Sequence, residues 1–186
     1  ASAGAEYLHL AKEIAQYAGL HFAAGTGALF SYTNRNFQQV TINKTETYDG
    51  AVPSSNSVFC RVLHHLGIAF GEAAWLRLHD QMLAEMQVYF SAYPSSFAIW
   101  AGLFLNKSDI AAEITIAGPA AKEIVRQFYT KRYLSHVTYT VVNTYEENIA
   151  ELRGKYAEGE TRIYICRNQS CLEPFTSIDE AMTVIY

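Results

Sequence analysis

Tyr48-Asp49-Gly50-Ala51-Val52-Pro53-Ser54-Ser55-Asn56-Ser57 is a dense polar loop that runs straight into an apolar segment. Tyr93-Pro94-Ser95-Ser96-Phe97 repeats the Pro-Ser-Ser entry ahead of a second apolar segment. Two polar loops feeding two apolar helices predict a helical-hairpin repeat with its loops collected on one face. Working outward, residues 5 to 24 place Tyr7, Leu10, Ile14, Tyr17 and His21 or Phe22 at the spacing of an amphipathic helix. Residues 54 to 69 carry Val58, Phe59, Cys60, Val62, Leu63, Leu66 and Ile68 around nearly the whole helix, the pattern of a segment buried on all sides. Residues 72 to 90 are half wet, and 95 to 105 are again apolar, with Phe97, Ile99, Trp100, Leu103 and Phe104. Alternation of amphipathic and buried helices predicts two concentric layers, hence part of an α/α toroid, with an ordinary bundle as the alternative. Two hairpins cannot close such a ring, so the remaining hairpins are expected outside this sequence.

Between the first helix and the Tyr48 loop, segments 28–33 and 37–42 read as short strands around Asn34-Arg35-Asn36, the pattern of a hairpin. Beyond Ser108 the period changes. Glu113 to Ala117, His136 to Val142 and Arg162 to Cys166 are β-type runs. They alternate with a helix from about Ala120, a short helix capped by Thr144 and Glu147, and a closing helix capped by Ser177 and Glu180. The fold class expected is therefore mixed and mainly α: residues 1–108 form helical hairpins of a partial toroid, and 109–186 form a small, mostly parallel α/β unit.

The chain has 186 residues, half of them hydrophobic and 17% charged, which excludes a disordered polymer. Net charge is -4 and the basic residues are scattered, so no nucleic-acid footprint is present. No apolar run approaches the roughly 20 residues that cross a bilayer, so no membrane partner is expected. No targeting peptide is visible, and an odd cysteine count of three favours a reducing compartment, which makes the cytoplasm the expected location. A chain that opens without Met reads as a processed or trimmed piece of something longer.

Taken together and in order, the Tyr48–Ser57 loop, the Tyr93–Phe97 echo and Ile163-Tyr164-Ile165-Cys166-Arg167-Asn168-Gln169-Ser170-Cys171-Leu172-Glu173-Pro174 resemble the C-terminal region of thioredoxin-domain-containing proteins related to spermatogenesis-associated protein 20. The resemblance spans essentially the whole chain. It implies a longer parent with an N-terminal thioredoxin-like domain and a six-hairpin α/α toroid similar to the glucosamine 2-epimerase and six-hairpin glycosidase folds. The family pattern has Gly where this chain has Ser55, which disfavours close approach of a ligand to the backbone there.

Asp49 is the candidate acid or base, and Tyr48 beside it is placed to stack on a sugar ring. The alternative is that Asp49 caps backbone N–H groups in an Asp-Gly turn. Ser54, Asn56, Tyr93 and Ser95 either line a toroid mouth as carbohydrate-binding groups or cap helix starts. His64 and His65 lack any metal-ligand spacing, and neither a metal nor a cofactor is implied. Cys166 and Cys171 lack the two-residue spacing of thioredoxin-like motifs and are either structural thiols or a redox-responsive pair that exchanges with the parent's thioredoxin-like domain. Two functions follow from these residues: a carbohydrate-active toroid of epimerase or glycosidase type, or a non-catalytic scaffold linked to thiol redox. Apolar inner-helix surface left uncovered is expected to cause self-association.

Overall fold

A computed structural model describes residues 5–37, 44–107, 111–132, 134, 137–167 and 170–185. The chain is mixed α/β and divides into two compact units, His9–Gly67 with Glu72–Leu105, and Ala1–Leu8 with Ile68–Gly71 and Asn106–Tyr186. Four helices precede the sheet: α1 (Ala5–Phe22), α2 (Ser55–Phe70), α3 (Ala73–Ala92) and α4 (Ala98–Leu105).

In the helical unit, Cys60, Leu63, Met82, Leu83, Met86, Phe90, Trp100 and Leu103 form the core of α2, α3 and α4, with Phe30 added from the preceding loop. Trp100 is fully buried, and its indole N–H donates to the Thr47 carbonyl at 2.9 Å, so the largest core side chain also ties down the loop ahead of α2. α3 is half wet as its pattern requires, burying His79, Met82, Leu83, Met86 and Phe90. α4 departs from the expectation of burial all round. Trp100 and Leu103 are inside, but Phe104 and Leu105 are 41% and 67% exposed. The apolar stripe of amphipathic α1 faces outward at Tyr7, Leu10, Ile14 and Tyr17, and Leu20 is exposed as well.

The expected hairpin at 28–33 and 37–42 is replaced by one antiparallel bridge, Ala23 with Phe30, and a turn at Asn34–Phe37. Residues 38–42 lie outside the described residues. The Phe30 backbone is satisfied by a side chain instead of a strand. Asn56 accepts from the Phe30 N–H at 2.7 Å and donates to the Phe30 carbonyl at 2.8 Å.

The second unit is a four-stranded sheet in the order β2-β1-β3-β4, with β1 Ala112–Ala117, β2 Val137–Val142, β3 Arg162–Arg167 and β4 Ser170–Cys171. The mostly parallel pairing expected from sequence is corrected: β1 and β2 are parallel, whereas β1–β3 and β3–β4 are antiparallel. The reason is the connection. Helix α5 (Ala121–Lys131) carries the chain back from β1 to start β2 in the same direction, as a parallel pair requires. The link from β2 to β3 holds no α-helix; the capping box at Thr144 and Glu147 yields a turn, followed by a single 3₁₀ turn at Ala150–Leu152. Helix α6 (Ile178–Thr183) begins after Ser177 as expected, but without a side-chain cap.

One face of the sheet is apolar. Ile114, Ile116, Ile163 and Ile165 pack with Val125 and Phe128 of α5 and Ile178 and Ala181 of α6. Gly118, between β1 and α5, has φ +132, and a Cβ there would stand 2.1 Å from the Glu160 carbonyl oxygen. Close packing against Glu160 and Thr161 therefore accounts for the Gly-Pro turn, and Thr161 Oγ1 accepts from the Ala120 N–H at 2.9 Å to start α5.

Candidate functional site

Asp49 is buried where the two Pro-Ser-Ser loops meet. Its Oδ1 accepts from the Ser54 N–H at 2.9 Å and the Ser57 hydroxyl at 2.7 Å, at the start of α2. Its Oδ2 accepts from the Ile99 N–H at 2.9 Å, in the first turn of α4. The Asp49 N–H in turn donates to the Ser96 carbonyl at 2.9 Å. A buried carboxylate is costly unless hydrogen-bonded, and N–H groups at helix starts supply both the bonds and a favourable dipole. Both oxygens are engaged with donors of the chain itself, so the geometry matches the capping role of Asp49.

Ser54 caps α2, its Oγ accepting from the Ser57 N–H at 3.0 Å. Asn56, buried, uses its oxygen on Phe30 and its NH₂ on the carbonyls of Phe30 and Glu46. The second loop is not a copy of the first. Pro94–Ser96 forms a 3₁₀ turn, Ser95 is exposed, and Asp49 bonds the α4 start from the other loop. Tyr48 and Tyr93 are 54% and 66% exposed. The Tyr48 ring stands edge-on to Phe97 at 6.0 Å, and Tyr89 meets the same Phe97 at 5.9 Å. His64 lies 4.7 Å from the ring of His79, whose Nδ1 is 2.9 Å from the Cys60 carbonyl oxygen. Among the described residues, no three His, Cys, Asp or Glu side chains are grouped to hold a metal ion, and no helix is long and apolar enough to cross a membrane.

A second polar cluster lies on the sheet face opposite the isoleucines. Thr115 and Thr140 donate to the two oxygens of Glu151, each at 2.5 Å. Lys155 donates to Thr115 Oγ1 at 3.2 Å and to Cys166 Sγ at 3.3 Å, lies 3.9 Å from Glu151, and stands 5.9 Å over the Tyr164 ring. The Glu151 and Lys155 side chains are only 5% and 15% exposed. Cys166 and Cys171, register partners across β3 and β4, form a disulfide. They are therefore not two separate thiols, and Cys166 is buried while Cys171 is exposed. Sequence reasoning passed over Thr115, Thr140, Glu151 and Lys155. The available signal was a threonine inside each of two β-type runs and a Glu-Lys pair four residues apart.

Glu113, the register partner of Cys166 on β1, has its carboxyl pushed above the usual 4.5 by burial and by repulsion from Glu151, against the pull of Lys155.

No protein-family model and no curated protein matches the chain.

Two variants check these assignments. Asp49→Ala removes acceptors from two helix starts and should cost about 2–4 kcal/mol in urea unfolding, with Asp49→Asn intermediate because one acceptor oxygen survives. Glu113 binds its proton more tightly in the folded chain, so its contribution is full below pH 4.5 and fades as pH rises through the folded value. Glu113→Gln should therefore raise the melting temperature near pH 7, and the gain should vanish towards about pH 4.

Proposed function

We propose that this chain is the C-terminal part of a thioredoxin-domain-containing protein related to spermatogenesis-associated protein 20, and that its α/β unit is a thiol–disulfide exchange target rather than an enzyme in its own right. The Cys166–Cys171 disulfide carries the reading. One of its cysteines is exposed, as attack by an external thiolate requires. The bond closes a loop of sequence separation 5, for which chain entropy gives roughly 2 kcal/mol, small against the 5–15 kcal/mol of a typical domain. The fold therefore tolerates its opening. In the cytoplasm, the expected location, such a bond belongs with transient, exchanging disulfides. The position of Asp49 supports the non-catalytic half of the proposal, since both its oxygens are occupied. Treatment of the oxidised protein with dithiothreitol under native conditions should release two thiols while near-ultraviolet dichroism is retained. A bond that opens only on unfolding would end this reading.

Carbohydrate binding by the helical part of a six-hairpin toroid is a second reading, favoured by the exposed Tyr48 and Tyr93 beside Phe97. Glycoside hydrolysis uses two carboxylates, so the acids of an epimerase- or glycosidase-type reaction would be supplied by hairpins elsewhere in the parent. The outward apolar stripes of α1 and α4 suit cover by such hairpins, or by a second copy when the chain is isolated. Saturation-transfer NMR with N-acetylglucosamine and a glucose oligomer should show binding that Tyr48→Ala and Tyr93→Ala abolish; absence of transfer with the unmodified chain refutes it.

A further inference from the structure

The disulfide has two unequal ends. Cys171 is exposed on the two-residue strand β4, whereas Cys166 is buried on β3 with the Lys155 ammonium 3.3 Å from its sulfur. We infer that Lys155 makes Cys166 the leaving thiolate of a directional exchange, in which a dithiol reductant attacks Cys171. The inference rests on the exchange reading above and adds its direction and the residue that imposes it.

The step balances as follows. A thiolate of the dithiol attacks Cys171 Sγ, forming a mixed disulfide; the Cys171–Cys166 bond breaks, and its electron pair remains on Cys166 as a thiolate. The second thiolate of the reductant then attacks its own sulfur in the mixed disulfide. Cys171 is released as a thiolate that takes a proton from water, and the reductant leaves as an intramolecular disulfide.

Leaving groups of lower pKa depart faster. Burial alone raises the pKa of Cys166, whereas a cation in contact lowers it. The contact with Lys155 also strengthens during the reaction. A disulfide sulfur is a weak acceptor, and a thiolate carries a full charge that a nearby ammonium stabilises much more. The surrounding charges hold that ammonium in place. Glu151 lies 3.9 Å from it and is itself fixed by Thr115 and Thr140, while Tyr164 presents its ring below. Glu113 is the register partner of Cys166 on β1, and burial and Glu151 raise its carboxyl above the usual 4.5, against the pull of Lys155.

Peptide mapping of the full chain treated with glutathione tests the direction without any variant, and the adduct should fall on Cys171. Lys155→Met should slow reduction by dithiothreitol by about tenfold, and Lys155→Arg should restore most of the rate. Melting of the oxidised variants identifies any that fail to fold. In Cys171→Ser, the thiolate absorbance of Cys166 should titrate at least one pH unit lower with Lys155 present than with Lys155→Met. An adduct on Cys166, or a Lys155→Met chain reduced at the unmodified rate, overturns the inference while leaving exchange itself intact. A wild-type bond that resists the dithiol overturns the exchange reading instead.

Discussion

The helical unit depends on one carboxylate. Asp49 sits between the two polar loops and accepts hydrogen bonds from the first turns of both α2 and α4, which are distant in sequence. Each helix start has N–H groups without intrahelical partners. A single buried anion satisfies donors of both, and its charge is offset by the positive ends of two helix dipoles. The α2 and α4 starts are thereby fixed to one another, and Trp100 can reach the Thr47 carbonyl from the turn beyond. The Pro-Ser-Ser echo in the sequence marks the two places where that anion acts.

The sheet of the second unit is governed by a different constraint, the chemistry of its two faces. Alternation along β1 and β3 sends the isoleucines to one side, against α5 and α6, and Thr115, Tyr164 and Cys166 to the other. A polar face must be covered by polar partners or left to water. Here the 3₁₀ turn and the residues after it lay Glu151 and Lys155 over it, and both threonine hydroxyls end on one carboxylate. The link from β2 to β3 contains no α-helix to carry the chain back along the sheet, and β3 runs antiparallel to β1.

The sequence was informative wherever periodicity reported burial within one element. The spans of α1 to α4, β1 to β3 and the start of α6 follow from apolar spacing and stop signals. The exposed face of α4 was not legible, because apolarity states what a segment is able to bury, and whether anything covers Phe104 and Leu105 is decided elsewhere. The supposed strand at Phe30 was misread for a specific reason: the side chain of Asn56 supplies the donor and the acceptor that a neighbouring strand supplies in a ladder. Local propensity contains no record of such a long-range substitute. Glu151 and Lys155 were missed because an acidic-basic pair four residues apart ordinarily marks a solvated helix face, whereas here it lies on a turn folded over a sheet.

Asp49 is a buried charge and Lys155 a half-buried one, each held by hydrogen bonds, yet they are chemically unlike. The partners of Asp49 are two backbone N–H groups and a serine hydroxyl, none of which changes charge near neutral pH. Its surroundings are the same before and after any plausible event, so the interaction is static and its effect is on stability. Lys155 faces a sulfur whose charge depends on whether the bond to Cys171 is intact. An interaction that strengthens in the product favours the reaction, whereas one of constant strength only favours the fold. By that criterion the Lys155–Cys166–Cys171 group is the position we propose for exchange. The Tyr48–Ser57 loop, the more conspicuous sequence, is where the fold is held.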